Sequence, residues 1–489
     1  MQIVLEADCI TARLVGRLSL DVYEAIDAAT SYVDPDAYRD LDYIHKRWDG
    51  KKYFFDQAHD TFPAGLLDRV TSALAGHGVE PQIVDQRALP PWGEAFPAPP
   101  TLWGNSGRYD DALTLFPDQQ DAFSAFVRAP RGCIAHPTAS GKTEIAAAVF
   151  RVAGKHARCL YIVDQRELLD QAHARLQLRL GERVGRLGNS FHEQGRDRVT
   201  VATIQALHYH VHKYAYEFFP TLSVVAFDEV HTMSERRDHN VLMRIPATVR
   251  LGLSGTIKEA KRRMVIEAYL GPIVYEGNVV ALIEAGRLAR PYFTMIRVGG
   301  VLDDATELDE ALRTLVWGNA ARNAMIVRLM CHFAKLGKRT LVLVQRIPHG
   351  FDLANTMTRD HPSYRVDFIH GHSPGAIIKE RVRELEDGWL PVLIASRIFD
   401  KGKDVPSLDV VIIAGGGRSP VLSLQRVGRG LRKKGDENVV EIYDFFDQGH
   451  RTLRNQADER RRTYARKYET AVRVVDTVDL ALGVRVTVL

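Results

Sequence analysis

Cysteine is scarce in this chain of 489 residues: Cys9, Cys133, Cys159 and Cys331 are the four present, and none forms a CxxC pair. The scarcity argues against a disulfide framework and against a zinc module, and it fits a reducing compartment where thiols serve as small apolar core residues. No run approaches the ~20 uncharged apolar residues that cross a bilayer, so no membrane partner is expected. Where a secretory signal would place cations and then an apolar run, the N-terminus has Glu6 and Asp8. Charge of one sign is lacking too: 65 Lys and Arg face 61 Asp and Glu, so net charge does not by itself establish a nucleic-acid partner. Glycine and proline number 37 and 21, too few for a collagen-like or low-complexity chain. A soluble, cytoplasmic globular protein is expected, with about three domains at ~150 residues each.

The proline that is present clusters: five of the residues lie within LPPWGEAFPAPPTLWG, residues 89–104. Proline fixes φ and lacks the amide proton, so 89–108 reads as a linker rather than a helix or a central strand. Before it, residues 1–88 read as a small α+β domain. The pattern predicts a strand pair over 1–15, a helix over 20–33, a strand region over 43–55 broken by the turn Trp48-Asp49-Gly50, and a helix over 66–75. After the linker, β-rich runs at 133–135, 159–163, 199–203, 224–227 and 251–254 alternate with helical patterns. The alternation resumes at 340–344, 366–369, 392–395, 410–414 and 440–443. Strands separated by helices make parallel βαβ units. This predicts an α/β chain of two successive doubly wound parallel-sheet domains, 109–300 and 301–470, closed by a terminal strand pair over 471–489.

The strongest chemical signal is HPTASGKTE, residues 136–144, between an apolar strand and a helical pattern. That context suits a phosphate-binding loop. Pro137, Thr138, Ser140 and Gly141 allow backbone amides to turn inward on an anion, and the helix N-terminus adds its positive end. Lys142 is expected to reach the β- and γ-phosphates of ATP, and Thr143 to offer its hydroxyl to Mg²⁺. The pattern GxxxxGK[ST] has Gly where this chain has His136. The second signal is VVAFDEVH, residues 224–231, an apolar strand that delivers two carboxylates at its C-terminal end. Asp228 is assigned to Mg²⁺ through water, and Glu229 to orienting and deprotonating the attacking water.

Asp228-Glu229-Val230-His231 resembles the DExH box of superfamily-two helicases, and other elements of that family follow in order. Ser254-Gly255-Thr256 resembles the Ser-Ala-Thr motif that couples hydrolysis to domain movement, which assigns His231, Ser254 and Thr256 to coupling. LFPDQQ (115–120) resembles the LRxYQ element of the XPB-like branch, whose Gln reads the adenine edge; that role is carried to Gln119. IVDQRELLDQ (162–171) and VATIQ (201–205) resemble motifs that hold one strand's phosphates, with Arg166, Thr203 and Gln205 as candidates. IASRIFDKGKDVP (394–406) resembles a strand-and-loop motif that places Ser396 on nucleic acid and Asp404 near the ribose. QRVGRGLR (425–432) resembles the motif whose two arginines, here Arg429 and Arg432, cross the interdomain cleft to the ATP phosphates. Gln425 and Arg426 bridge to the carboxylate motif in that scheme. The resemblance implies tandem RecA-like domains and an ATP-dependent motor.

HKRWDGKKYFF, residues 45–55, interleaves Lys46, Arg47, Lys51 and Lys52 with aromatics against Asp49. Such a surface can bind phosphates while rings stack on bases, which makes Arg47, Trp48, Lys51 and Lys52 candidates. The same pattern also fits Trp48, Phe54 and Phe55 as core beneath a solvated lysine face. RWDGKKYFF…FPAGLLDRV (47–70), ahead of an LRxYQ-like core, resembles the phage UvsW-type helicases. That likeness implies a small N-terminal domain that assists in binding branched DNA. It also implies branch migration, fork regression and D-loop or R-loop unwinding in recombination, repair and replication, with 3′-to-5′ polarity. DNA at junctions, or an RNA–DNA hybrid, is the implied partner, in a host cell's cytoplasm or nucleoid if the chain is phage-encoded. A translocase without strand separation, an RNA-directed helicase and a nucleotide-gated clamp remain open alternatives. Pro35-Asp36 and Asp49-Gly50-Lys51 faintly resemble the PD…(D/E)xK metal-dependent nucleases. The segment 451–468 carries seven cations against two acids and reads as a basic helix, either on duplex backbone or simply exposed.

Overall fold

Runs of consecutive apolar residues become strands covered on both faces. In Arg158–Val163, Leu160 and Ile162 face one core while Cys159, Tyr161 and Val163 face another. Burial on both sides is what a parallel sheet wrapped by helices requires. In the computed structural model these strands belong to an eight-stranded sheet. Its order is Phe191–His192, Val184–Gly188, Val199–Thr203, Arg158–Val163, Leu222–Asp228, Val249–Ser254, Arg131–Ala135, Ile273–Glu276. All neighbours run parallel except the short Phe191–His192 edge. Burial pushes the Cys159 thiol up to about 12, as befits a core residue. The structure describes residues 2–105, 111–138, 140–188, 190–193, 197–233, 235–255, 257, 260–396, 408–417, 438–478 and 482. They form two compact units, Met1–Gly277 and Asn278–Leu489. No helix among the described residues is long and apolar enough to cross a membrane.

The N-terminal part of the first unit is a four-stranded sheet, in the order Thr61–Pro63, Thr11–Val15, Val4–Ala7, Gln82–Asp85, with helices Leu20–Ala29 and Leu67–Gly76 against it. A separate two-stranded ribbon pairs Ser31–Val33 with Lys51–Tyr53. The expected strand over 43–55 is therefore shorter, and Tyr43 sits in the helical turn Leu41–Ile44 instead. Asp40 caps that turn by accepting from Asp42 N at 2.8 Å, a local bond that competes with extended backbone.

This N-terminal part shares one hydrophobic cluster with the large sheet, so it is built into the first unit. Polar contacts reinforce the seam: Arg69 Nε lies 2.5 Å from Glu267 Oε2, and Lys261 Nζ 3.0 Å from Asp34 Oδ1. Gly65 makes the closest approach, since a Cβ there would lie 2.0 Å from the Glu267 carbonyl oxygen and 2.7 Å from that of Ala268. Backbone on both sides cannot yield to a methyl group without separating the two parts. Gly65→Ala is expected to cost about 1–3 kcal/mol, as overpacking does. Chemical denaturation reads this as a lowered midpoint, and an unchanged midpoint would show that the seam is looser than described.

The second unit carries a seven-stranded, all-parallel sheet in the order Val366–Ile369, Val392–Ala395, Thr340–Leu343, Val410–Ile413, Val439–Asp447, Arg290–Val298, Val472–Val475. The expected boundary at 300/301 falls too late. Arg290–Val298 pairs along its full length with Val439–Asp447, so it belongs to the second sheet. Of the expected terminal strand pair, Val472–Val475 is described as an edge strand; residues 479–481 and 483–489 lie outside the described residues. The basic helix Arg451–Tyr468 turns one of its cations inward: Arg460 is 1% exposed.

Candidate nucleotide-binding site

Three adjacent strands in the middle of the first large sheet end on the same side. Register pairs Asp228 with Leu253 and Ser254 with Ala135. The loop after Ala135, the carboxylates after Phe227 and the hydroxyl of Ser254 therefore meet at one carboxyl edge, where ligands bind in such sheets. In sequence the loop precedes the carboxylates by roughly ninety residues, and these precede Ser254 by roughly twenty-five; the crossovers bring all three side by side.

The loop begins at His136 and closes at Gly141, the N-cap of helix Lys142–Val152. Gly141 has φ 84°, and a Cβ there would lie 2.3 Å from Gln119 Nε2, so conformation and space both demand glycine. Lys142 is 8% exposed, and its Nζ donates to the His136 carbonyl at 3.2 Å. Gly255 approaches the loop from the neighbouring strand, since a Cβ there would lie 3.1 Å from Thr138 Oγ1. Pro137 packs near Gly277. Amides at a helix N-terminus, a lysine at the same end and the Thr143 hydroxyl position fit a triphosphate with Mg²⁺.

Asp228 ends its strand and accepts from Glu229 N at 2.9 Å. Glu229 adopts a left-handed φ of 51°, a costly conformation for a residue with a Cβ, which turns the chain sharply after the strand. His231 Nδ1 lies 3.0 Å from Ser254 Oγ and 3.2 Å from Glu229 Oε2, so the carboxylate turn and the Ser-Gly-Thr strand are in direct contact. Beneath them Tyr161 is fully buried. Burial, and then the Asp228 charge, hold its phenol well above the ordinary range. Nothing in its apolar strand pattern marked this tyrosine.

Gln119 is 3% exposed, and both ends of its amide are engaged: Nε2 donates to Ser140 O at 2.6 Å, and Oε1 accepts from Phe116 N at 2.9 Å. In this structure it braces the phosphate loop. Along the same edge, Thr203 caps the next helix by accepting from Ala206 N, and Gln205 Nε2 donates to Asp164 O at 2.7 Å. Arg237 Nη2 also reaches Asp164 Oδ1, at 3.0 Å. Arg166 is exposed at the start of helix Arg166–Leu180. Asp164 and Arg237 were not among the predicted residues: Asp164 lies within IVDQRELLDQ, where Arg166 was the candidate, and Arg237 lies far away in sequence and in none of the quoted motifs.

In the second unit, Ser396 follows strand Val392–Ala395 and is 8% exposed. Thr256, Asp404, Gln425, Arg426, Arg429 and Arg432 lie outside the described residues. In the N-terminal part, Lys51 and Lys52 are exposed, Trp48 is half-buried with Nε1 donating to Lys51 O at 2.6 Å, and Lys52 Nζ lies 5.7 Å from the Trp48 ring. Arg47 pairs with Asp42 at 2.8 Å. Phe55 is core, so this element combines both sequence readings. Asp49 accepts from Lys51 N and Tyr53 OH, and Asp36 faces Arg39. Among the described residues no group of three His, Cys, Asp or Glu is placed to hold a metal ion.

A parallel α/β sheet with a phosphate loop, an acidic strand end and a contacting Ser-Gly-Thr strand defines a nucleoside-triphosphate hydrolase. Residues 112–259 match the family described as type III restriction enzyme, res subunit, and residues 321–434 match the helicase conserved C-terminal domain. The chain is 23% identical over 390 residues to the DNA 3′-5′ translocase XPB2 of Sulfurisphaera tokodaii, covering 71% of this chain and 85% of that protein. It is 21% identical over 433 residues to the ATP-dependent DNA helicase uvsW of Enterobacteria phage T4, covering 85% of each. A solved structure of S. cerevisiae Dbp5 bound to RNA and ADP–BeF3 shares the fold at 15% identity and a TM-score of 0.54, over 75% of this chain and 90% of that one. The two matches give this chain the domain pair of superfamily-two helicases, ATP-hydrolysing enzymes built on tandem RecA-like domains, and its sequence is similar to the UvsW and XPB proteins of that class.

Proposed function

We propose that this enzyme is an ATP-driven DNA motor that remodels branched DNA by branch migration, fork regression or unwinding of D-loops and R-loops, in recombination, repair and replication. The observation that carries the proposal is the meeting of the Lys142 loop, Asp228-Glu229 and Ser254 on adjacent strand ends, in the same unit as the Lys51–Lys52 element. Names of relatives support a DNA substrate and 3′-to-5′ movement. The cytoplasm is the setting this reading implies.

In the proposed chemistry Lys142 leaves the His136 carbonyl for the β- and γ-phosphates. Thr143 and Asp228 would hold Mg²⁺, which when bound would neutralise phosphate charge. Glu229 orients the attacking water and takes its proton. His231 and Ser254 relay the change at the phosphates to the rest of the sheet. Arg166, Thr203, Gln205 and Ser396 are proposed to hold one strand, and Arg47, Trp48, Lys51 and Lys52 to engage the branch.

ATPase rates over single strand, duplex, fork, four-way junction, R-loop and sequence-matched RNA test this. Stimulation is expected to be strongest with branched DNA; stimulation by RNA alone would overturn the reading. Arg432→Ala is expected to bind ATP normally while turnover falls roughly a thousandfold, the scale of a lost phosphate-facing arginine. Fluorescent-nucleotide titration beside phosphate release separates the two quantities, and unchanged turnover would reject that role for Arg432.

A further inference from the structure

Two of the positions that depart from the motif patterns lie side by side in space. His136 stands where the phosphate-loop pattern has Gly, and Asp118 stands where LRxYQ has Tyr. They lie eighteen positions apart in sequence, yet His136 Nε2 is 2.8 Å from Asp118 Oδ2. The His136 side chain is fully buried, that of Asp118 22% exposed. The imidazole also packs on Tyr275, with ring centroids 5.6 Å apart, and a Cβ on Gly277 would lie 2.7 Å from its Nδ1. A carboxylate at ion-pair distance and the packed Tyr275 ring fix the place of the imidazole.

We propose that Asp118 and His136 are positioning residues for ATP, a device that rests on the nucleotide-site reading above and adds to it. Consecutive residues in the first turn of helix Pro117–Arg128 grip the phosphate loop at both ends. Asp118 holds its first residue, His136, and Gln119 holds its last turn through the Ser140 carbonyl at 2.6 Å. His136 in turn presents the carbonyl on which Lys142 Nζ rests at 3.2 Å. The loop's width, the direction of its amides and the resting place of its lysine are thereby set from one helix. A loop fixed before the anion arrives loses less freedom on binding, so the pair contributes to affinity for ATP rather than to the chemical step. The paired departure from pattern has the same explanation: a histidine at the first loop position has its ring nitrogen facing a carboxylate that the tyrosine of the motif would not supply.

The test is steady-state ATP hydrolysis with saturating single-stranded DNA for wild type, Asp118→Ala, His136→Ala, the double variant and His136→Gln, each with its thermal midpoint. Each single alanine is expected to raise the KM for ATP about fivefold to tenfold with kcat within about twofold, the pattern of lost ground-state binding. The double variant is expected to be no worse than the weaker single one, because both remove the same contact. His136→Gln keeps a side-chain donor and is expected to recover most of the lost affinity. Unchanged KM, a fall confined to kcat or to the thermal midpoint, or multiplicative effects in the double variant would each overturn the proposal. A wild-type protein without DNA-stimulated hydrolysis would instead remove the underlying reading, so the two failures are distinct.

Discussion

Lys142→Ala is expected to lower DNA-stimulated ATP hydrolysis a hundredfold or more while nucleotide-free binding of DNA stays within about twofold of wild type. The size follows from what the ammonium does. It is a full positive charge at the mouth of a loop that otherwise offers only amide dipoles, and it faces the oxygens on which charge builds as the terminal phosphate departs. Loss of a single well-placed donor in such a site typically costs about 10²–10³ in turnover. Folding is expected to change little, because Lys142 Nζ makes its contact with one loop carbonyl, that of His136. Phosphate release gives the first quantity, and anisotropy of a labelled single strand the second. Hydrolysis near the wild-type rate would remove the phosphate-loop assignment, and with it the reading of Asp228 and Glu229 as its partners.

The contrast between what the residues announce and what only three dimensions reveal has physical causes. Strands such as Val199–Thr203 and Leu222–Asp228 were legible because burial on both faces leaves a short run rich in apolar and β-branched residues with a polar break at the ligand edge. The loop at Gly141 was legible because one backbone shape demands one residue type there. Tyr43 and Ile44 misled because an aromatic and a β-branched residue favour strand, while Asp40 fixes a helical turn through a bond three atoms of side chain can make locally. Arg290–Val298 was missed since its pairing partner lies about 150 residues away and it begins with Arg290 and Pro291, which do not open an obvious apolar run. Asp118 and His136 are each unremarkable polar residues in sequence; their meaning is the 2.8 Å between them. The same holds for the cations of the last helix, where spacing alone does not tell a solvated arginine from one enclosed by protein.

Arg460 is the enclosed one, and its removal is expected to destabilise the protein by about 3–5 kcal/mol. The guanidinium is 1% exposed. It donates from Nε to Asp444 Oδ2 at 2.9 Å, from Nη2 to Asp444 Oδ1 at 3.2 Å and to Phe445 O at 2.7 Å, and from Nη1 to Gly417 O at 2.8 Å. Asp444, itself 1% exposed, also accepts from Tyr464 OH at 2.8 Å. Arg460→Ala strips the carboxylate of its charge partner while leaving it out of water, which costs more than the pair ever contributed as a unit. A loss of that size is a large part of the ~5–15 kcal/mol that holds a typical domain folded. Arg462, by contrast, is 76% exposed and pairs with Asp458 on its own helix, so Arg462→Ala is expected to leave stability within error of wild type. The two variants also divide the roles open to a basic helix. A buried guanidinium releases no counterions from DNA, so Arg460→Ala is expected to leave the salt dependence of DNA binding unchanged at temperatures where the protein remains folded. Denaturant midpoints and salt titrations measure the two effects separately. A destabilisation below ~1 kcal/mol would mean that Asp444 is not enclosed as described, and a shallower salt slope would mean that Arg460 reaches a phosphate and the helix lies elsewhere.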